Sequence, residues 1–332
     1  MTRAKEDKAV GFIGLGNVGA KLAGSLLRNG ADLTIRDLDE AAAAPLLAAG
    51  AKWGKSPAQM ASACDIIITC LPSPVISAAV LEAEDGLLAG FRKGCIWAEM
   101  STTDETEIHR LSAKVAAVGG RAVDCPVSGG CHRAATGNIS IFAGCEREVF
   151  DDMLPFLTKM GRRILHTGPL GSATVLKVVT NYLATANLLS VAEALSTCKA
   201  AGMDMRTSYE AIAISSGTSF VHETEGQVIL NGSRDINFTM DLVLKDISLF
   251  QDVAIRSGLQ LELAPLLVEI FKDGIEKYGP REFSPNIIRR LVEAHGLDVS
   301  AAGFQNEITD DESEETGYEV VIYKNADGFI PV

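Results

Sequence analysis

The sequence predicts an α/β domain with a doubly wound, mostly parallel sheet, followed by an all-α domain that a long interdomain helix joins to it. Short apolar runs alternate with helical patterns over the first half of the chain, which is typical of a parallel sheet. Beyond Gly171 the strand signals fade, and residues 172–201 contain no glycine or proline. At ~1.5 Å per residue this stretch predicts a helix of roughly 45 Å.

The elements follow in a regular order. Residues 10–13 are an apolar run, residues 20–29 repeat apolar positions at helical spacing, Gly30 ends that helix, and residues 33–35 form the next strand. Further strands are predicted at residues 65–71, 95–100 and 121–125, and later helices at residues 206–215, 241–257, 264–278 and 285–295. The predicted domains are residues 1–171, the α/β domain, residues 172–300, the helical domain, and residues 301–332, an acidic tail.

Composition excludes several classes of protein. The 47% apolar content argues against a disordered chain, and a formal charge of −13 opposes binding to nucleic acid or to an anionic membrane. Seven cysteines without a CxxC pair predict neither a disulfide framework nor a metal site, and they favour the reducing cytoplasm. We find no secretory signal in the first ten residues and no apolar run near the ~18 residues of a membrane span.

The acidity is concentrated at the C-terminus. Residues 310–332 hold seven acidic side chains and one lysine, a net charge of −6. The other residues therefore carry about half of the total charge, so the overall acidity says little about a substrate pocket. Residues 318–323 could add an edge strand or lie on a neighbouring subunit.

A glycine-rich turn follows the first strand. Gly14, Gly16 and Gly19 have the GxGxxG spacing, in which the glycines allow a tight turn, approach of a pyrophosphate and close packing of the helix. This Rossmann-type pattern predicts NAD binding, through Gly14, Leu15, Gly16, Asn17, Val18 and Gly19. Asp37 can accept hydrogen bonds from the adenosine ribose and opposes a 2′-phosphate, although Arg36 beside it leaves NADP possible.

Two further segments carry polar groups suited to a small acid. Ser128, Gly129 and Gly130 follow a predicted strand, where a hydroxyl and two exposed amides can hold a carboxylate; the alternative is an ordinary glycine-rich turn. On the long helix, Lys177 and Asn181 are four residues apart and share one face. Burial would lower the lysine pKa toward neutrality, which suits a general acid or base; the alternative is a salt-bridged lysine at a helix start.

In this order, the three motifs resemble those of the β-hydroxyacid dehydrogenase family. The resemblance covers about residues 9–295, through GFIGLGNVGAKLAGSLLRNG, CLPSP, EMSTT, DCPVSGG, TGNIS, GPLGSATVLKVVTN and FTMDLVLKDISL. It implies that Lys177 is the catalytic acid or base, that Asn181 orients the substrate, and that Ser128, Gly129 and Gly130 bind its carboxylate. It also implies a cofactor lining by Leu71, Pro72 and Thr102, a cofactor contact from Lys245, and a place in the substrate pocket for Phe220.

Two positions depart from the family pattern. Ile76 stands where relatives often have an asparagine that contacts the cofactor. Arg133 stands where the family has glycine, and a guanidinium near a carboxylate site could bind a second anionic group of the substrate. The alternative is an exposed loop arginine.

The resemblance implies an NAD-dependent oxidoreductase that interconverts a small 3-hydroxy acid, of the 3-hydroxyisobutyrate type, and its semialdehyde. Alternatives are a reductase of tartronate semialdehyde, succinic semialdehyde or sulfolactaldehyde, a 6-phosphogluconate dehydrogenase, an imine reductase and a non-catalytic NAD-binding scaffold. Lys177 argues against the last two, in which it is usually replaced. The helical domain is expected to form a homodimer or homotetramer, with a small molecule as partner and neither nucleic acid nor a membrane.

Overall fold

The computed structural model describes residues 8–322 and divides them into two units. The division falls between Lys177 and Val178, inside the long helix, and the chain returns to the first unit at Asp311. The sequence predicts a boundary at residue 171 and a separate tail. In the structure, the start of the long helix up to Lys177 and the acidic stretch from Asp311 both belong to the first unit.

The described residues of the first unit form one ten-stranded sheet. Its strands are β1 Val10–Ile13, β2 Leu33–Arg36, β3 Lys52–Trp53, β4 Ile66–Thr69, β5 Ile96–Glu99, β6 Arg121–Asp124, β7 Val127–Ser128, β8 Ser140–Gly144, β9 Arg163–Gly168 and β10 Tyr318–Glu319. The order is β10-β9-β8-β6-β5-β4-β1-β2-β3, and β7 pairs with β8. Strands β1 to β6 are parallel, whereas β8 runs antiparallel to β6 and parallel to β9.

Helices connect these strands. They are α1 Gly19–Arg28, α2 Glu40–Ala48, α3 Pro57–Ala63, α4 Pro74–Glu82, α5 Leu87–Gly90, α6 Glu105–Ala117, α7 Gly130–Thr136 and α8 Arg147–Leu157, after which α9 Ser172–Ala200 begins. Side chains fix several of their starts: Ser56, Ser73 and Asp104 each accept a backbone N–H of the first turn of α3, α4 and α6.

The central strands are buried on both faces. Ile66 and Ile68 of β4 pack into one apolar cluster and Ile67 into another, which explains why β4 is apolar without alternation. Strand β1 lies between β2 and β4, so the chain winds in opposite directions from this point. In open α/β sheets, ligands bind beyond the carboxyl ends of the strands at such a switch point.

The second unit is helical in its described residues, apart from one isolated bridge between Thr239 and Phe283. It contains α10 Met205–Ala213, α11 Phe220–Asn231, α12 Met240–Arg256, α13 Leu263–Tyr278, a 3-10 helix at Ser284–Ile288 and α14 Arg289–His295. Sequence patterns do not predict α11, which contains Gly226 opposite the Tyr209 ring. The predicted helix at residues 285–295 is wrong in its first turn, because Pro285 lies in the 3-10 segment.

Helix α9 corrects one expectation. By length and composition it is apolar enough to cross a membrane, contrary to the expectation that no segment approaches a membrane span. Core helices of soluble proteins pass the same test. Leu188, Val191 and Leu195 of α9 belong to the apolar core of the second unit.

Residues 311–320, which we call the acidic segment, pack along the edge of the sheet at β9. Tyr318 N donates to Arg162 O at 2.8 Å, and Val320 N donates to Ile164 O at 2.7 Å. Edge strand β10 is thus present, and Tyr323 lies outside the described residues. Four arginines of the first unit pair with acids of the segment: Arg28 with Glu314, Arg133 with Glu312, Arg147 with Glu319, and Arg162 with Glu312 and Glu315.

Candidate active site

The glycine turn after β1 has the geometry that its sequence predicts. Gly14 has φ +100°, and a Cβ there would lie 2.2 Å from the Cys70 carbonyl oxygen. A Cβ on Gly19 would lie 2.0 Å from the Gly14 carbonyl oxygen, whereas one on Gly16 would meet no atom within 4 Å. The first and third glycines therefore permit close packing, and the second leaves open space for a pyrophosphate at the start of α1.

A cavity of about 430 Å³ adjoins this turn. Its wall consists of Leu15, Gly16, Asn17, Ala20, Lys21, Asp37, Asp39 and Ala42. Asp37 lies at the end of β2, where its Oδ2 accepts the Leu15 N–H at 2.5 Å and its Oδ1 accepts the Asp39 N–H at 2.9 Å. The carboxylate is held in place and retains lone pairs for ribose hydroxyls, so the residues present fit the adenosine half of a dinucleotide.

Arg36 is directed away from Asp37. Its Nη1 donates to the Gly54 carbonyl at 2.9 Å, and its guanidinium lies 5.8 Å from the centre of the Trp53 ring. A cation that could have received a 2′-phosphate is thus engaged beside β3.

A buried carboxylate connects the loops that follow β4 and β5. Glu99 accepts hydrogen bonds from the N–H and the hydroxyl of Ser101, and Ser101 Oγ accepts the Leu71 N–H at 2.7 Å. Burial raises the pKa of Glu99, against the opposing effect of the Ser101 hydrogen bonds. Leu71, Pro72 and Thr102, the predicted cofactor lining, lie on these two loops.

The Ser128–Gly130 turn requires its glycines, because Gly129 and Gly130 have φ +130° and +87°. Ser128 pairs with Ser140 of β8, and α7 begins at Gly130. The Arg133 side chain lies beside Gly129, with its Cδ 3.2 Å from where a Gly129 Cβ would be. Its Nη2 donates to Glu312 Oε1 at 3.4 Å. Arg133 lies in the short helix α7, and Glu312 of the acidic segment offsets its charge.

Lys177 is only 8% exposed, in agreement with the burial that its apolar neighbours predict. The turn of α9 before it is held by Asp124, which accepts Gly171 N–H at 2.8 Å and both the N–H and the hydroxyl of Thr174, at 2.7 and 2.8 Å. Burial raises the pKa of Asp124, and these hydrogen bonds oppose the rise. Asp124 begins the DCPVSGG motif, a signal that could have identified it from the sequence.

In the second unit, Asp246 connects two predicted site residues. Asn181 Nδ2 donates to Asp246 Oδ2, and Lys245 Nζ lies 2.9 Å from Asp246 Oδ1. Asp246 is buried and ends the FxxxLxxKD box, a signal that could have identified it. Phe220, the predicted pocket residue, begins α11 and is partly exposed.

No group of three or more His, Cys, Asp or Glu residues among residues 8–322 could hold a metal ion. None of the seven cysteines, all of which lie among the described residues, forms a disulfide.

Two family models match the chain. Residues 9–168 match the model of the NAD-binding domain of 6-phosphogluconate dehydrogenase, and residues 171–291 match the model described as NAD-binding of NADP-dependent 3-hydroxyisobutyrate dehydrogenase.

Relatives of known activity align over most of the chain. The chain is 32% identical to 2-(hydroxymethyl)glutarate dehydrogenase of Eubacterium barkeri, over 88% of this chain and 97% of the relative. It is 31% identical to NAD-dependent L-serine dehydrogenase of Pseudomonas aeruginosa, over 86% and 98%. The crystal structure of 3-hydroxyisobutyrate dehydrogenase from Salmonella typhimurium superposes with a TM-score of 0.79 at 25% identity, covering 86% of this chain and all of that one.

The dinucleotide-binding turn and the matched models define an NAD(P)-dependent oxidoreductase of hydroxy acids. The chain belongs to the β-hydroxyacid dehydrogenase family.

Proposed function

We propose that the enzyme interconverts a small 3-hydroxy acid of the 3-hydroxyisobutyrate type and its semialdehyde, with Lys177 as general acid or base. The observation that carries this proposal is the buried Lys177, one turn into a helix whose start is hydrogen-bonded to Asp124 at the end of β6, four residues before Ser128. The relatives named above act on 3-hydroxyisobutyrate, L-serine and 2-(hydroxymethyl)glutarate. Each of these molecules carries a CH₂OH group on the carbon next to a carboxylate.

The residues have separate roles in this reaction. The Ser128 hydroxyl and the amides of Gly129 and Gly130 hold the substrate carboxylate. The Lys177 amine takes the hydroxyl proton during oxidation and returns a proton to the carbonyl oxygen during reduction. Asn181 shares the Lys177 face of α9 and orients the substrate. A bound NAD would supply the hydride acceptor for the carbon that bears the hydroxyl.

A substrate panel tests the proposal. We expect NADH absorbance to rise with 3-hydroxyisobutyrate, L-serine or 2-(hydroxymethyl)glutarate at a fixed enzyme concentration. Isobutanol, which lacks the carboxylate, and lactate, whose hydroxyl is one carbon closer to it, are the controls and should turn over at least ~100-fold less efficiently. If no short 3-hydroxy acid or its aldehyde reacts, or the controls react equally well, the proposal is wrong.

We propose NAD rather than NADP as the preferred cofactor, because Asp37 and Asp39 line the adenosine cavity and Arg36 is directed toward β3. Replacement of Asp37 by alanine should raise the KM for NAD and increase the efficiency with NADP relative to NAD by ~10-fold or more. Asp37→Asn is the matched variant, since it removes the charge and keeps an acceptor for Leu15 N. A wild-type enzyme that already prefers NADP would refute this assignment.

Arg133 is less suited to bind a second anionic group than its sequence position suggests, because Glu312 offsets its charge. Within the panel, this favours the acids with one carboxylate, 3-hydroxyisobutyrate and L-serine, over the dicarboxylate 2-(hydroxymethyl)glutarate, and it gives no support to a sulfonate such as sulfolactaldehyde.

We further propose a homodimer or homotetramer in the cytoplasm, without a nucleic-acid or membrane partner. Ile255, Leu259 and Leu266 are exposed apolar side chains on or between α12 and α13, and an assembly would cover them. The seven cysteines without a CxxC pair support a reducing location, and the net charge of −13 supports the absence of polyanionic partners.

A further inference from the structure

The first turn of α9 is fastened to the end of β6 by one side chain. Asp124 is 1% exposed, and its two carboxylate oxygens accept three hydrogen bonds of 2.7–2.8 Å from Gly171 and Thr174. The first amides of a helix have no partner within the helix, and the helix dipole favours an anion at this end. The carboxylate therefore determines where α9 starts and in which direction its first turn points.

Two glycines of the surrounding backbone lie close to this carboxylate. Gly144 of β8 pairs with Asp124, and a Cβ on Gly144 would lie 2.5 Å from Asp124 Oδ1 and 3.0 Å from Ala173 N. Gly171 has φ +89°, a conformation that lets its N–H reach the carboxylate without strain. Two glycines from different parts of the chain thus accommodate the contact.

Asp124 and its partner Thr174 are each close in sequence to one part of the candidate site. Four residues beyond it the chain reaches Ser128 and the two glycines, and three residues beyond its partner Thr174 it reaches Lys177. Residues three apart on a helix lie on the same side, one turn from each other. A displacement of the first turn would consequently move Lys177 relative to the Ser128–Gly130 turn.

We infer that Asp124 is a positioning residue, which holds Lys177 at the correct distance from the turn that binds the substrate carboxylate. The inference rests on the proposed function. It assigns to Asp124 an effect on turnover through Lys177, in addition to the stability that any helix cap contributes.

The decisive variant is Asp124→Asn, which keeps the shape but turns an NH₂ group toward one of the donors. We expect a ~10- to 100-fold lower kcat, because misplacement of a reacting group by about 1 Å costs this much. The dissociation constant for NAD should change by less than about 3-fold, since the glycine turn and Asp37 are untouched. Thr174→Val, which removes one hydrogen bond and keeps the carboxylate, should give an intermediate loss and serves if Asp124→Asn does not fold.

A matched control separates positioning from capping. Asp204 accepts the same pair of donors at the start of α10, the N–H and the hydroxyl of Thr207, both at 2.8 Å, but it is a local and exposed cap. Asp204→Asn should leave kcat within about 2-fold of wild type while lowering the unfolding temperature. In the Lys177→Ala background, Asp124→Asn should produce no further loss, because both changes remove the same contribution.

The outcomes distinguish failure of the inference from failure of the proposed function. If Lys177→Ala loses activity as expected but Asp124→Asn leaves kcat within about 3-fold of wild type, the inference fails and the proposed function stands. Additive losses in the double variant also overturn the inference. If Lys177→Ala retains more than about a tenth of the activity, both fail.

Discussion

Replacement of Lys177 by alanine is expected to lower kcat by ~10² to 10⁴, the usual contribution of a positioned general acid or base. The NAD dissociation constant should change by less than about 3-fold, because the residues around the adenosine cavity are remote from Lys177 in sequence and lie in the turn after β1, in α1, in the loop after β2 and in α2. Initial rates with the best substrate of the panel, together with NADH fluorescence titration, measure the two quantities.

Two variants sharpen this experiment. Lys177→Arg keeps a positive charge but cannot release its proton near neutral pH, so it should be about as inactive as the alanine variant. If the arginine variant keeps most of the activity, Lys177 acts by its charge and not by proton transfer. Lys199 lies in the last turn of the same helix, and Lys199→Ala should leave kcat unchanged.

The parts of the fold that depend on local patterns could be predicted from the sequence. Strand β1, the glycine turn and α1 follow one another within about twenty residues, and their apolar spacing and glycines have a direct structural meaning. Strands β4 and β5 are buried on both faces and therefore stand out as continuous apolar runs.

Elements that depend on distant contacts could not be predicted. Strands β3 and β7 have two residues each, too few for a periodic pattern, and an edge strand at residues 318–323 could be predicted only as one of two alternatives. Strand β10 exists because the chain returns to pair Tyr318 with Arg163 of β9. Helix α11 contains Gly226, which lowers its helical signal but lets the Tyr209 ring approach.

In the candidate site, too, local motifs could be predicted from the sequence and long-range contacts could not. The glycine turn, Ser128–Gly130 and Lys177 are local motifs that a sequence displays. The partners that hold them are long-range: Asp124 meets the start of α9 across 47 and 50 residues, and Asp246 meets Asn181 across 65. The partner of Arg133 is 179 residues away, so the sequence alone could not show that its charge is offset.

The acidic segment is held on the first unit by ion pairs and by backbone hydrogen bonds. A carboxylate between Arg133 and Arg162, two cations of the first unit, reduces their mutual repulsion. The main-chain hydrogen bonds from Tyr318 and Val320 extend the sheet, and Asn138 Nδ2 donates to the Glu312 carbonyl at 2.9 Å. The ion pairs are largely exposed, and such pairs contribute little to stability. The backbone contacts should therefore account for most of the stabilisation.

A chain that ends at Asp310 is expected to lose about 2 to 4 kcal/mol of unfolding free energy in the first unit, because long-range hydrogen bonds contribute ~0.5 to 1.5 kcal/mol each. Both tryptophans, Trp53 and Trp97, lie in this unit, so urea unfolding followed by tryptophan fluorescence reports on it specifically. A chain ending at Ile322 keeps the whole acidic segment and serves as the reference for the truncation. Changing the four glutamates that pair with arginines, Glu312, Glu314, Glu315 and Glu319, to glutamine retains the backbone ladder and should cost less than the truncation.

If the glutamine variant loses as much unfolding free energy as the truncated chain, the ion pairs hold the segment. If truncation at Asp310 leaves the unfolding midpoint unchanged, the segment contributes nothing to the stability of the unit.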